Sequence, residues 1–220
     1  MSSYAPDYIK DPKAIYDASF RKVRSSARLE AFPQDLSEIV IRLIHACGMP
    51  EIVDEIEFGG DLANVVTSAI QNGNAIICDC EMVASGITRR FLPSGCVVKV
   101  TLNDERTPSL AAEIGTTRSA AAVELWEEHL DGALVAVGNA PTALFHLLEK
   151  IASGGPRPAA ILGFAVGFIG AAESKAALAN FESETGIAIP FITLHGTRGG
   201  SAMASAAVNA FALAVGRGEG

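Results

Sequence analysis

In the segment Val40-Ile41-Arg42-Leu43-Ile44-His45-Ala46-Cys47-Gly48, Arg42 and His45 stand three residues apart. On a helix that spacing puts both on one face beside an apolar stripe, where a guanidinium and an imidazole can address one ligand. A second group, Arg198-Gly199-Gly200-Ser201, sets an arginine beside Gly-Gly-Ser at a helix start. Helix N-termini present unpaired N–H groups and the positive end of the dipole, so this stretch is a ready carboxylate site. Arg118, near the start of another helix, adds a third guanidinium. Each also has a plainer reading. His45 suits a helix C-terminus, where the dipole favours its cation; Arg118 and Arg198 suit solvent, and Gly199, Gly200 and Ser201 a flexible helix start.

Particular elements must hold these residues. Asp11-Pro12 opens a helix with Ile15, Ala18 and Val23 at helical spacing, and Ser19 falls on the same inward stripe. Pro33 breaks the chain, and a second helix over 35–47 buries Leu36, Ile39, Val40, Leu43, Ile44 and Cys47 until Gly48 and Pro50 stop it. Residues 134–151 read as strand, turn and helix: an apolar run ends at Gly138, and Pro141 begins a helix through Leu144, Leu147, Leu148 and Ile151. A strand apolar on both faces belongs to a parallel sheet covered on both sides, whose ligands bind beyond the carboxyl ends of the strands, here residues 138–142. Further strands are predicted over 52–58, 75–78, 97–102, 159–164 and 191–194. Helices are predicted through Val65 to Ile70, from 117 to about 129, over 174–183 and, rich in alanine, from Ser201. This alternation predicts an α/β fold, a three-layer sandwich with a mostly parallel, Rossmann-like sheet, as a single domain over residues 1–220.

Composition excludes several classes. The net charge of −8, with no basic tract, argues against a nucleic-acid partner. The longest apolar run, residues 159–172, is 14 residues broken by three glycines, short of the roughly 20 that span a bilayer. Residues 1–11 hold no apolar leader, so a cytoplasmic protein is expected. Cys47, Cys78, Cys80 and Cys96 lack zinc-site spacing and read as reduced thiols, and no metal site is expected. Gly163, Gly167 and Gly170 follow a strand but lack the first tight G-x-G of a dinucleotide fingerprint, so they read as a turn that lets backbone approach closely. P-loop, G-x-S-x-G and H-E-x-x-H motifs are absent. The alanine-rich helix over 201–215 reads as a close-packing surface for a dimer.

Five motifs in order make a specific resemblance: Cys78-Asp79-Cys80-Glu81-Met82-Val83-Ala84; Thr117-Arg118-Ser119-Ala120-Ala121; Gly138-Asn139-Ala140-Pro141-Thr142-Ala143-Leu144; Val166-Gly167-Phe168-Ile169-Gly170-Ala171-Ala172-Glu173-Ser174-Lys175; and Gly199-Gly200-Ser201-Ala202-Met203. Together they resemble the precorrin-8X methylmutase family of cobalamin biosynthesis, from about Tyr8 to Ala212, with departures at Ser85, Thr116, His195 and Thr197. The resemblance implies an α/β homodimer with active sites near the subunit interface. It implies an isomerase that moves a methyl group from C-11 to C-12 of the corrinoid precorrin-8X, giving hydrogenobyrinic acid. The family's general acid matches His45 and its substrate contacts match Ser19, Arg42 and, less closely, Arg118; Gly199, Gly200 and Ser201 supply further donors for the substrate's carboxylates.

An intramolecular methyl shift needs no redox cofactor and no nucleophile, so no cofactor is expected. It needs a proton at a ring nitrogen and a pocket that holds the macrocycle. Imidazole, with a reference pKa of about 6.5, can give and recover that proton near neutrality. Hand-over of product to neighbouring pathway enzymes is a further expectation. Two alternatives stay open at this level: the cobalt-precorrin-8 methylmutase of the anaerobic pathway, and a non-catalytic corrinoid carrier.

Overall fold

Short apolar runs pair into a six-stranded sheet of order β1-β6-β5-β4-β2-β3, comprising β1 (Ile56–Gly59), β2 (Ile76–Cys78), β3 (Val98–Val100), β4 (Leu134–Val137), β5 (Ala160–Gly163) and β6 (Phe191–Leu194). Strands β2 to β6 run parallel and β1 pairs antiparallel with β6. The computed structural model describes residues 6–217. The predicted domain limits at 1 and 220, and part of the segment 1–11 on which the expectation of no leader rests, fall on residues outside the described ones.

Strand side chains alternate between two cores, as the pleat requires. Leu134 and Ala136 join the cluster formed with α2 (Gln34–Cys47), α3 (Leu62–Gln71), α4 (Glu81–Gly86) and α10 (Ser201–Arg217). Val135 and Val137 join the opposite cluster, with α6 (Arg118–Glu124), α8 (Pro141–Ala152) and α9 (Ala171–Thr185). Helix, sheet and helix layers follow, in the predicted single-domain α/β sandwich. The first helix, α1 (Pro12–Ser26), lies against α2 and buries Phe20 and Val23. Among the described residues no helix is long and apolar enough to cross a membrane. The four cysteines are free thiols, and burial pushes the Cys78 thiol up.

Three local expectations need correction. The strand predicted over 52–58 begins only at Ile56, because Pro50–Asp54 forms a 3-10 turn that buries Ile52 and Val53 side by side. Residues 107–114, left between the predicted elements, form α5 (Thr107–Ile114), with Pro at its start and Gly115 closing it at φ 67. The helix predicted from 117 to 129 divides into α6 and α7 (Glu127–Leu130), where buried Trp126 turns its indole N–H to the Thr101 hydroxyl at 2.9 Å. Alanine-rich α10 turns Ala204, Ala207, Val208, Ala210, Phe211 and Ala212 into the chain's own core and leaves Ala202 and Ala214 exposed. Its small residues let α2 and α4 pack close: a side chain at Gly86 would collide with Ser205.

Candidate active site

His45 is placed by the ordinary physics of an amphipathic helix. Leu36, Ile39, Val40, Leu43 and Ile44 turn α2 inward, and Gly48 in the left-handed conformation ends it, its N–H donating to the Ile44 carbonyl at 2.7 Å. His45 therefore emerges on the last turn, exposed to solvent. Helix α1 crosses this turn. Asp11 caps α1, accepting from the Ala14 N–H at 2.7 Å, and the buried pair Phe20 and Val23 holds the helix down.

The two helices bring three sequence-predicted residues together. Ser19 Oγ lies 3.0 Å from His45 Nδ1, and the Phe20 ring tilts against the imidazole at 5.1 Å between centroids. Arg42 donates to the Tyr16 hydroxyl at 2.9 Å, while its guanidinium carbon sits 5.2 Å from the centre of the Phe20 ring. Tyr16 stacks on Phe20 at 4.2 Å. Tyr16 and Phe20 are additions to the site. The signal was their spacing of four within the same helical stretch as Ser19, but α1 was read for its apolar stripe alone. Ser19 and His45 open onto a pocket of about 330 Å³ that also touches Lys22, Ser26, Gly48 and Pro50. Among the described residues His45 Nε2 has no partner, so one nitrogen is oriented and the other is free.

The other predicted residues stand elsewhere. Arg118 is exposed beside the edge strand β3, donating to the Leu102 carbonyl at 3.0 Å and to Asn103 at 3.2 Å. No hydrogen bond joins it to the His45 group among the described residues. Gly199, Gly200 and Ser201 enter α10 at the carboxyl edge of the sheet, where the Gly200 N–H donates to the Phe164 carbonyl at 2.8 Å. Ser201 is buried, its hydroxyl 3.6 Å from Cys80 Sγ. Gly199 must be glycine, because a Cβ there would strike the Phe164 carbonyl at a φ of +159. Arg198, read beside these glycines as an anion ligand, turns away to Glu55 at 2.5 Å and Glu51 at 3.4 Å. Its carbonyl accepts from the buried Lys175 ammonium, whose pKa burial pushes down to about 8. His195, one of the departures, pairs with Glu57 at 2.5 Å.

The turn expected to meet a ligand already holds a carboxyl group of the chain itself. Buried Asp79 accepts from the N–H groups of Gly138, Asn139 and Ala140 at 3.0, 2.9 and 2.8 Å. Burial pushes its carboxyl up from the usual range, with the three N–H groups pulling the other way. Ser201 and Ala204 press on Gly138 from above, where a Cβ would collide with both. Residues 138–140 are thus a structural clamp between β2 and β4. The glycine turn 163–170 behaves as predicted, its backbone approaching a neighbour: the Gly167 N–H donates to the Thr197 carbonyl at 3.1 Å.

The family profile of precorrin-8X methylmutase matches residues 14–214. A precorrin-8X methylmutase of Pseudomonas aeruginosa is 51% identical over 206 residues, covering 94% of this chain and 97% of that protein. One of a Sinorhizobium species is 52% identical, covering 94% and 96%. Proteins named cobalt-precorrin-8 methylmutase match at 30% to 35% identity. The crystal structure of a Thermus thermophilus precorrin-8x methyl mutase superposes with a TM-score of 0.82 at 35% identity, over 94% of this chain and 97% of that one.

Proposed function

The chain belongs to the precorrin-8X methylmutase family and is an isomerase of cobalamin biosynthesis, and from that premise we propose that His45 is its general acid. The substrate is metal-free precorrin-8X and the product hydrogenobyrinic acid, the methyl group passing from C-11 to C-12. Identities of 51% and 52% to precorrin-8X enzymes, against 30% to 35% to the cobalt-precorrin enzymes, favour the metal-free substrate.

One observation carries the assignment of the acid: the Ser19 hydroxyl 3.0 Å from His45 Nδ1 at the mouth of an open pocket. In the acid form both ring nitrogens carry a proton: Nδ1–H donates to the Ser19 hydroxyl, and the proton on Nε2, the nitrogen without a protein partner among the described residues, faces the pocket. Delivered to a corrin nitrogen near the migrating centre, it withdraws electron density and lowers the barrier to migration. The conjugate imidazole then recovers it. Arg42, held by Tyr16 and Phe20, meets a carboxylate of the macrocycle. Arg118 and the segment of Gly199, Gly200 and Ser201 serve arms further from the reacting carbons; the Gly199 N–H has no partner among the described residues. A homodimer acting in the cytoplasm, passing its product to the next enzyme of the pathway, completes the reading.

The test is to mix the protein with a tenfold excess of precorrin-8X and follow the visible spectrum. Conversion of the whole excess by wild type, and its loss in His45→Ala, is the expected result. A spectral change that stops at one equivalent per chain is the behaviour of a carrier and overturns the enzymatic reading.

A further inference from the structure

The pocket beside His45 departs from the overall charge of the protein. The protein carries a net charge of −8, yet no carboxylate lines this pocket; its charged or chargeable walls are Lys22 and His45 alone. The adjoining hollow between α1 and α2 holds Asp17 and Glu38 as well as arginines, and there Arg24 is spent on Glu38 at 2.7 Å. Arg28, just beyond α1, is spent on Asp54. Lys22 is exposed and has no ion-pair partner among the described residues.

Position adds to charge. Lys22 follows Ser19 by three residues on α1, so the two side chains emerge from one face about 5–6 Å apart at Cβ. Ser19 is the residue that touches the imidazole. The remaining pocket hydroxyl, Ser26, is used as a donor to the Lys22 carbonyl at 2.7 Å, so it has no proton to offer an anion. An anionic group entering the pocket finds one uncommitted ammonium, one helical turn from Ser19, the residue that touches the proton donor.

The geometry points to Lys22 as a substrate-binding residue that grips the carboxylate arm nearest the migrating methyl group of the substrate. This rests on the reading that the His45 pocket receives the corrinoid. A flexible ammonium is strongly hydrated in the empty pocket; a macrocycle laid over it displaces that water and strengthens the contact. Because precorrin-8X and its product share their carboxylate arms, the grip acts on both states alike and appears in binding more than in turnover.

The experiment compares Lys22→Gln, Lys22→Glu and Lys22→Arg with Arg21→Gln, a neighbouring cation that does not line this pocket. KM and kcat are measured with precorrin-8X, and hydrogenobyrinic acid affinity is measured by visible titration. Lys22→Gln is expected to raise KM and weaken product binding about tenfold, with kcat falling less than about threefold. Lys22→Glu raises KM further, Lys22→Arg keeps it within about threefold, and Arg21→Gln shifts it less than about twofold. Raising the salt concentration narrows the gap between wild type and Lys22→Gln. Equal shifts in Lys22→Gln and Arg21→Gln mean a general field and overturn the assignment; so does wild-type KM and product affinity in Lys22→Gln. Failure of the underlying reading shows separately, as undiminished turnover in His45→Ala, and the product titration still reports on Lys22 in that event.

Discussion

Asp79 and His45 are polar side chains set against apolar helices, and the chain treats them in opposite ways. Asp79 is 2% exposed and its carboxylate is surrounded by three backbone N–H groups of residues 138–140. His45 is exposed, holds one hydroxyl at 3.0 Å, and keeps a ring nitrogen unbound. A buried polar group whose hydrogen bonds are all made has nothing left for a ligand and serves to join strands. An oriented group with one free valence at a pocket is arranged for chemistry. The Gly138 turn had every formal mark of a ligand site, at the end of a parallel strand with a helix after it, and its donors are consumed internally. Position in the fold nominates a site, and unsatisfied valence decides it.

The largest expected effect separates the two regions. His45→Ala should lower kcat by about 10²–10⁴-fold while leaving the urea midpoint close to wild type. Asp79→Ala should do the reverse, costing about 2–4 kcal/mol in urea titration because three buried N–H groups lose their acceptor, with turnover of the folded fraction within about threefold. A stable but inactive Asp79→Ala protein would break the comparison and bring residues 138–140 back as a ligand site.

Lys175 lies between the two cases, since it is buried like Asp79 but has a single acceptor, the Arg198 carbonyl. Its folded pKa, pushed down to about 8, lies below the unfolded value of about 10.4. Between those values the unfolded chain binds more protons than the folded one, so stability rises with pH and is lost as pH falls through 8. Relative to Lys175→Met, wild type should gain roughly 2–3 kcal/mol between pH 7 and 10.5, as read from denaturant titrations at each pH. A flat difference would show that the ammonium is better solvated than its burial implies. The smallest effect is expected at Ser19. Ser19→Ala removes one hydrogen bond, worth about 1 kcal/mol, so kcat should fall about fivefold in steady-state assays. A loss as large as that of His45→Ala would make the hydroxyl a proton carrier in its own right.

Local periodicity and capping were enough to establish much of this protein from the chain alone. The apolar stripe from Leu36 to Ile44 and the stop at Gly48 put His45 on the outward last turn of α2, because helical spacing and a left-handed cap are properties of neighbouring residues. The apolar runs of β4, β5 and β6 carried the mostly parallel sheet for the same reason. Where local signals compete, the reading slipped, as at Ile52 and Val53, whose alternation with acids looked like a strand until Pro50 began a turn. Only the tertiary structure decided the pairings between distant segments. Ser19 meets His45 across 26 residues, Asp79 reaches Gly138 across 59, and Arg198 turns from its own glycines to Glu51 and Glu55, more than 140 residues earlier. Such contacts depend on how helices lie across one another and which way each side chain turns, and neither follows from the spacing of residues within one element.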